Sequence, residues 1–146
     1  MNRASLELVR DFRSVREKRL AKELAVIYEK LVSKEKELAL LLKKRKELIE
    51  SQRRLQEGDV DIYALESISH QLLYIYAKAE SVRNELLEIK KEYEEKMKQL
   101  VEASKQRKLI EKLIERWEKR QEYEISRKEQ KFLDEISNTK FAYENV

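Results

Sequence analysis

The sequence predicts an all-α fold in which two long helices form an antiparallel coiled-coil hairpin. Three observations predict it. The 146 residues include no Pro and a single Gly, so long stretches can be helical without interruption. Charged residues make up 42% of the chain, a composition typical of coiled coils. Apolar residues recur at steps of three and four on both sides of the one glycine, Gly58.

The first helix is predicted over about residues 4–57, with an apolar stripe that begins at Leu20. Eight of its eleven positions are apolar. The eleven positions are Leu20, Leu24, Ile27, Leu31, Lys34, Leu38, Leu41, Arg45, Leu48, Gln52 and Leu55. Upstream, Leu8, Phe12 and Val15 form a stripe that is offset from this one. The offset predicts a slip of the heptad register near residues 16–19.

The break between the helices is predicted at residues 58–61. Gly58 can adopt the left-handed conformation that ends a helix, and Asp59 or Asp61 can cap the next one. The second helix is predicted over about 62–138, followed by a tail at 139–146. Fourteen of its sixteen stripe positions are apolar. The sixteen positions are Leu65, Ile68, Leu72, Ile75, Ala79, Val82, Leu86, Ile89, Tyr93, Lys96, Leu100, Ala103, Arg107, Ile110, Ile114 and Trp117.

The short link requires the two helices to fold back on each other within one domain, residues 1–146. The alternative is a straight helix that dimerises between chains, with Gly58 as a kink. In the hairpin, paired residue numbers add to about 118, which places Leu6 opposite Lys112. The second helix therefore outruns the first beyond Glu115. This overhang needs a partner unless it frays, because it carries Trp117, Tyr123, Ile125, Phe132, Leu133 and Ile136.

A second apolar surface is predicted near the link. Leu42 and Ile49 lie just beside the first stripe, and the pairing brings them close to Leu73 and Tyr76. Contiguous exposed apolar surface usually marks a partner site. The alternative is a simple widening of the coiled-coil core.

Positive charge gathers at the open end of the hairpin. Residues 1–22 and residues 105–131 each carry a net charge of +4, and pairing brings them together. A basic tip can meet nucleic acid, anionic lipid or an acidic protein surface. Acids such as Glu111 and Glu115 interleave with the basic residues, and aromatic residues are few, so we expect no nucleic-acid partner. The alternative is a solvated face with i,i+4 ion pairs.

The sequence contains no catalytic constellation. His70 is the one histidine and falls on the outer face of the second helix. There is no glycine-rich phosphate loop, metal-ligand cluster or nucleophile elbow, so we expect no enzymatic activity, no cofactor and no metal. No apolar run is long enough for a membrane span, and the first residues are too charged for a signal peptide. We expect a cytoplasmic protein.

Two motifs in the second helix carry a family resemblance. Residues 103–116 contain Arg107-Lys108 followed by Glu111-Lys112-Leu113, and Glu129-Gln130-Lys131 is followed by Asp134-Glu135. This ordered pair resembles the C-terminal signature of the flagellar export protein FliJ. The layout is similar along the whole chain, with one break just before residue 60 and a long second helix. Related injectisome stalk proteins share that layout.

The resemblance implies a non-enzymatic stalk similar to the central stalk of rotary ATPases. Its open end is expected to enter the hexameric ring of the export ATPase FliI and stimulate it. Another part of the hairpin is expected to contact the membrane export gate protein FlhA, and export chaperones are further expected partners. The expected location is the cytoplasmic face of the inner membrane, with membrane association only through the export apparatus.

The predicted contacts follow the two surfaces described above. The gate contact is assigned to Leu42, Ile49, Leu73 and Tyr76. The ATPase-ring contact is assigned to Lys105, Arg107, Lys108, Lys112, Arg116, Trp117, Glu129, Gln130, Phe132, Leu133, Asp134, Glu135 and Ile136. Two other functions are open: a coiled-coil adaptor or scaffold without an ATPase partner, and a stalk subunit of a rotary ATPase.

Overall fold

The computed structural model describes residues 2–144, which form two α-helices, α1 (Arg3–Gln56) and α2 (Ile62–Glu144). The helices pack against each other as a hairpin, the second is the longer, and residues 2–144 contain no strand, so the predicted fold class is confirmed. The hairpin divides into two compact units. We call residues 19–100, which include the link, the loop unit, and residues 2–18 with 101–144 the terminal unit.

Side-chain caps begin both helices. The Ser5 backbone N–H donates to Oδ1 of Asn2 at 2.8 Å, and the Ala64 N–H donates to Oδ1 of Asp61 at 3.2 Å. Asn and Asp are favoured at this position because their side-chain oxygens satisfy N–H groups that have no partner in the first helical turn. Of the two candidate caps for the second helix, Asp61 therefore makes the bond.

The link between the helices does not use a left-handed glycine. Gly58 has no positive φ, and a Cβ added there would meet no atom within 4 Å. The expected left-handed conformation was therefore wrong. The first helix instead closes with a tight turn, in which the Glu57 N–H donates to the Arg54 carbonyl at 3.3 Å. Such i→i+3 bonds are a common way to end a helix.

The second helix extends further than the sequence indicated. It continues to Glu144, whereas the prediction ended it near residue 138 and made 139–146 a tail. Residues 139–144 contain neither Pro nor Gly, so no residue in this segment breaks the helix. The last two residues of the expected tail, 145 and 146, lie outside the described part of the chain.

The core of the loop unit lies along the predicted stripes. All α2 stripe positions from Leu65 to Leu100 are buried or half-buried, and so are those of α1 except Arg45, which is exposed. The buried members are Leu20, Leu48, Ile68, Ile75, Ala79, Val82 and Leu86. Tyr28 and Tyr93 face each other across the hairpin with ring centroids 6.3 Å apart. An apolar seam of this kind is the main source of stability for a long helix in water.

The pairing of the helices agrees with the predicted register. In the loop unit, Glu23 pairs with Lys96 and Lys34 with Glu85, each within one residue of the predicted position. In the terminal unit, Leu6 is buried with Ile110 and Ile114, which flank the predicted position 112. Val9 and Trp117 pack against this cluster.

The offset stripe predicted near the N-terminus was wrong. Leu8, Phe12 and Val15 do not face α2 and are 66–72% exposed. The inward residues of α1 in this unit are instead Leu6, Val9, Arg13 and Glu17. Nη1 of Arg13 donates to the Gln106 carbonyl at 2.8 Å, and Glu17 forms an ion pair with Arg107. Because Arg13 and Glu17 are polar, a search for apolar spacing selects the wrong face of this helix.

Ile110 and Leu109 provide a matched test of this core. Ile110 is 2% exposed and its neighbour Leu109 is 59% exposed. We expect Ile110→Ala to lower the free energy of unfolding by about 2–5 kcal/mol, because it leaves a cavity between the helices. Leu109→Ala should change it by less than about 0.5 kcal/mol. Urea denaturation followed by circular dichroism measures both, and equal losses would contradict this packing.

Candidate functional site

The side of the hairpin on which an exposed residue lies follows from its position relative to the seam. In an antiparallel coiled coil, residues that directly follow a seam position lie on one side of the pair in both helices. Residues that directly precede a seam position lie on the other side. The second helix runs in the opposite direction and also turns its seam towards the first helix. These two changes cancel, so the residues after a seam position lie on the same side in both helices.

The four residues of the predicted gate contact, which we call the apex flank, share one side of the loop unit. Leu42 and Ile49 follow the seam residues Leu41 and Leu48, while Leu73 and Tyr76 follow Leu72 and Ile75. Leu73 and Tyr76 are both 68% exposed, Ile49 is also exposed, and Leu42 is half-buried. The apex flank is thus an accessible apolar surface on two helices.

A groove of about 440 Å³ runs along the α1 half of the apex flank. Its lining residues are Leu42, Arg45, Lys46, Ile49, Glu50 and Arg53. Two apolar side chains form part of this lining, and three basic side chains border them. Arg45 was expected in the seam but is exposed here.

The second candidate surface is the overhang, which we define as residues 119–144. Among the ion pairs between the helices in the described residues, the one nearest the C-terminal end of α2 joins Arg3 to Glu118, at 2.8 Å. Beyond it, all described side chains are exposed except the half-buried Gln121. The large apolar residues on this bare helix are Tyr123, Ile125, Phe132, Leu133, Ile136, Phe141 and Tyr143.

The overhang continues the seam of the hairpin. Ile125, Phe132, Ile136 and Tyr143 follow one another at steps of four or seven, on the same side of α2 as Ile114. At those steps a helix keeps its apolar residues on one stripe. Tyr123 and Phe141 point the opposite way, since each lies half a turn from that stripe. The overhang therefore presents apolar side chains in more than one direction.

The predicted ring-contact residues divide into two groups. Lys105, Lys108, Lys112 and Arg116 are exposed, as are all the predicted residues from Glu129 to Ile136. Arg107 and Trp117 are half-buried. Arg107 pairs with Glu17 and with Glu111, and hydrogen bonding to the Glu17 carboxylate raises its pKa. Trp117 packs on the core cluster. These two residues hold the helices together in the terminal unit.

A polar contact also lies in the seam of the loop unit. Lys34 hydrogen-bonds to Glu85 on the opposite helix and to Glu37 at 3.2 Å on its own helix. The bond with Lys34 lowers the pKa of the Glu85 carboxyl, and the same pair raises the pKa of Lys34. Likewise, Lys96 at 2.8 Å lowers the pKa of Glu23.

Residues of the types that bind metals do not cluster in the described part of the chain. Residues 2–144 contain no group of three His, Cys, Asp or Glu side chains placed to hold an ion. His70 lies on the surface, with Nε2 3.8 Å from Oε1 of Glu66. In the same range, no helix is long and apolar enough to cross a membrane.

Sequence reasoning missed one surface, that of Leu8, Phe12, Val15, Leu109 and Leu113, all of which are exposed in the terminal unit. A signal for it exists in the sequence. Extending the α1 stripe backwards from Leu20 in steps of three and four leads to Glu17, Arg13, Arg10 and Leu6, and leaves Phe12 outside. The polar residues at three of those positions hid the pattern.

The ion pair between Lys34 and Glu85 predicts a pH dependence of stability. Because folding lowers the pKa of Glu85, its charged carboxylate stabilises the folded state above its ordinary pKa. This stabilisation is lost as the pH falls through the lowered value. We expect Glu85→Gln to lower the melting temperature at neutral pH and to have no effect in strong acid. Melting curves across that range test this, with the exposed Glu88→Gln as the control; a pH-independent difference would contradict the pairing.

Comparisons with known proteins bear on the two exposed surfaces. No curated protein and no solved structure matches the chain. The family model described as "Flagellar FliJ protein" matches residues 1–145. Because this match covers nearly the entire chain, the protein belongs to the FliJ family, whose members are components of the flagellar export stalk.

Proposed function

We propose that this protein binds the ring of the flagellar export ATPase FliI through its overhang and the exposed basic residues of the terminal unit, and that binding stimulates the ATPase. Family membership supplies the flagellar context. One observation supports the contact: the apolar stripe of α2 continues through the overhang, where no other described helix lies beside it. A solitary helix with exposed apolar residues gains stability only when a partner covers them.

The distribution of these side chains favours a partner that surrounds the helix. Ile125 and Phe132 face one way, while Tyr123 and Phe141 face the other, and all four are exposed. A single groove would cover one of these sides and leave the other in water. The central opening of a hexameric ring can contact both, which is the arrangement expected of a stalk.

The apex flank is the proposed contact with the export gate protein FlhA. Leu73 and Tyr76 are more than two-thirds exposed and lie beside a groove with basic borders. Aromatic and apolar residues at the centre of an interface supply most of its binding energy. In this arrangement the protein links the ATPase to the gate at the cytoplasmic face of the inner membrane. Export chaperones are further proposed partners.

An alternative function is a coiled-coil adaptor that binds no ATPase. Its overhang would pair with one helix of another protein, which would cover one side of α2. The two functions differ in the ATPase assay, because an adaptor would leave the turnover of the purified export ATPase unchanged.

Removing apolar side chains from the overhang tests the ring contact. We expect the double variant Phe132→Ala with Leu133→Ala to lose the stimulation of ATPase turnover, because both side chains are exposed and would be buried only in the complex. Leu40→Ala with Leu87→Ala removes two exposed leucines from the loop unit and serves as the control. Circular dichroism should show unchanged helicity in both. Undiminished stimulation by the overhang variant would refute the proposed contact.

Neighbouring residues on α2 test the gate contact. Tyr76 and Tyr74 are almost equally exposed, but Tyr74 precedes the seam residue Ile75 and lies on the opposite side. We expect Leu73→Ala with Tyr76→Ala to weaken binding to the cytoplasmic part of the gate protein by about tenfold or more, measured by titration calorimetry. Tyr74→Ala should leave the affinity within about twofold. Equal effects of the two tyrosines would count against the apex flank.

A further inference from the structure

The two sides of the terminal unit differ in charge. Residues that follow the seam positions include the acids Glu7, Glu111, Glu115 and Glu118. Residues that precede the seam positions include one acid, Glu102, but also Phe12, Arg16, Leu109, Leu113, Arg116 and Arg120. We call these last six residues the basic face. Acidic and basic residues alternate along the sequence, but the helical repeat places most of the acids on the first side, together with Lys18 and Lys108.

Ion pairs accentuate this separation. The acids of the first side are matched by basic residues: Glu118 by Arg3 at 2.8 Å, Glu111 by Arg107 at 2.9 Å, and Glu115 by Lys119 at 3.2 Å. Across the described range, by contrast, no ion pair includes Arg16, Arg116 or Arg120. Glu102 lies on the same side, at the end away from Arg116 and Arg120, and the helix pairing places it close to Arg16. The positive charges of Arg116 and Arg120 are therefore the ones available to a ligand.

Apolar side chains lie between these charges. Phe12, Leu109 and Leu113 are 71%, 59% and 48% exposed. Leu109 and Leu113 occupy successive turns of α2, and the helix pairing places Phe12 across from them on α1. The apolar strip spans about two helical turns, or roughly 10 Å. Its position between two helices is the shallow groove into which a third helix packs in a bundle.

We propose that the basic face is a docking site for an acidic amphipathic helix of a partner protein. The apolar stripe of that helix, with residues at i, i+3 or i+4, and i+7, would cover Phe12, Leu109 and Leu113. Its Asp or Glu residues beside the stripe would pair with Arg116 and Arg120. This inference goes beyond the ATPase contact proposed above. Arg116 belongs to both surfaces, but Phe12, Leu109 and Leu113 belong neither to the overhang nor to the predicted ring contact.

Charge and shape together favour a helix over other anionic partners. Nucleic acid would satisfy the arginines, but it needs stacking platforms, and Phe12 is the one aromatic residue of the basic face. A phosphate backbone would also leave Leu109 and Leu113 in water. A bilayer surface would accept the basic residues but has no need of a groove between two helices. An acidic amphipathic helix covers the apolar strip and neutralises the arginines in one contact.

Two synthetic helical peptides of about four turns test the proposal directly. Both carry leucines on one stripe, with glutamates beside it in one peptide and lysines in the other. Fluorescence anisotropy measures their binding to the full chain. We expect the glutamate peptide to bind at least tenfold more tightly than the lysine peptide, with an affinity that falls as salt is added, because salt screens exposed charges.

Variants then locate the binding site. Leu109→Ser with Leu113→Ser should weaken the glutamate peptide about tenfold or more, whereas Val101→Ser, at an exposed position on the opposite side, should not. Arg116→Glu with Arg120→Glu should reverse the preference, so that the lysine peptide binds better. Lys108→Glu, a charge reversal on the opposite side, should leave the preference unchanged. Circular dichroism checks that all variants remain helical.

Several results would overturn the proposal. Equal binding of the two peptides would show that the arginines do not select an acidic helix. Unchanged binding of the glutamate peptide to the leucine variant would show that Leu109 and Leu113 are not part of the contact. Tighter binding of a single-stranded oligonucleotide, or of vesicles containing anionic lipid, would assign the basic face to another class of partner. The assay contains no ATPase, so its failure would leave the ATPase contact proposed above untouched.

Discussion

The structure depends on one constraint, the burial of a continuous apolar stripe on each of two helices that cannot bury it alone. A link of five residues, Glu57–Asp61, joins the helices, so the nearest partner for each stripe is the other arm of the same chain. Burial of residues such as Val82 and Ile110 follows from this pairing. The pairing also decides which side chains remain outside, and all the candidate contact surfaces consist of those.

Polar residues in the seam determine how the two stripes align. Lys34 with Glu85 in the loop unit, and Glu17 with Arg107 in the terminal unit, connect the helices at defined positions. Half-buried charges contribute little net stability because they lose hydration when they pair. Their value lies in specificity, since a shifted pairing would leave them unmatched among apolar neighbours. Apolar stripes alone would tolerate such a shift more readily.

The exposed surfaces differ in kind, which suits a protein that binds several partners. The overhang presents apolar side chains in several directions, and the apex flank combines two helices with a groove. The basic face places leucines among arginines that form no ion pair with any described residue. Each pattern matches a different partner geometry: a surrounding ring, a protein surface or a single acidic helix. Membership of the FliJ family places all three in a flagellar protein.

The sequence by itself determined the helices, the break near Gly58, the pairing of Leu6 with the region of Lys112, and the overhang, because each follows from apolar spacing along one chain. The sequence offers two spacings for the start of α1, and tertiary structure decided that Leu8, Phe12 and Val15 face solvent, since Arg13 and Glu17 occupy the seam through partners about 90 residues away. Tertiary structure also decided that Phe12 and Arg16 of α1 lie on the same side of the hairpin as Leu113 and Arg116 of α2. That match requires two helices side by side, and no local pattern contains it.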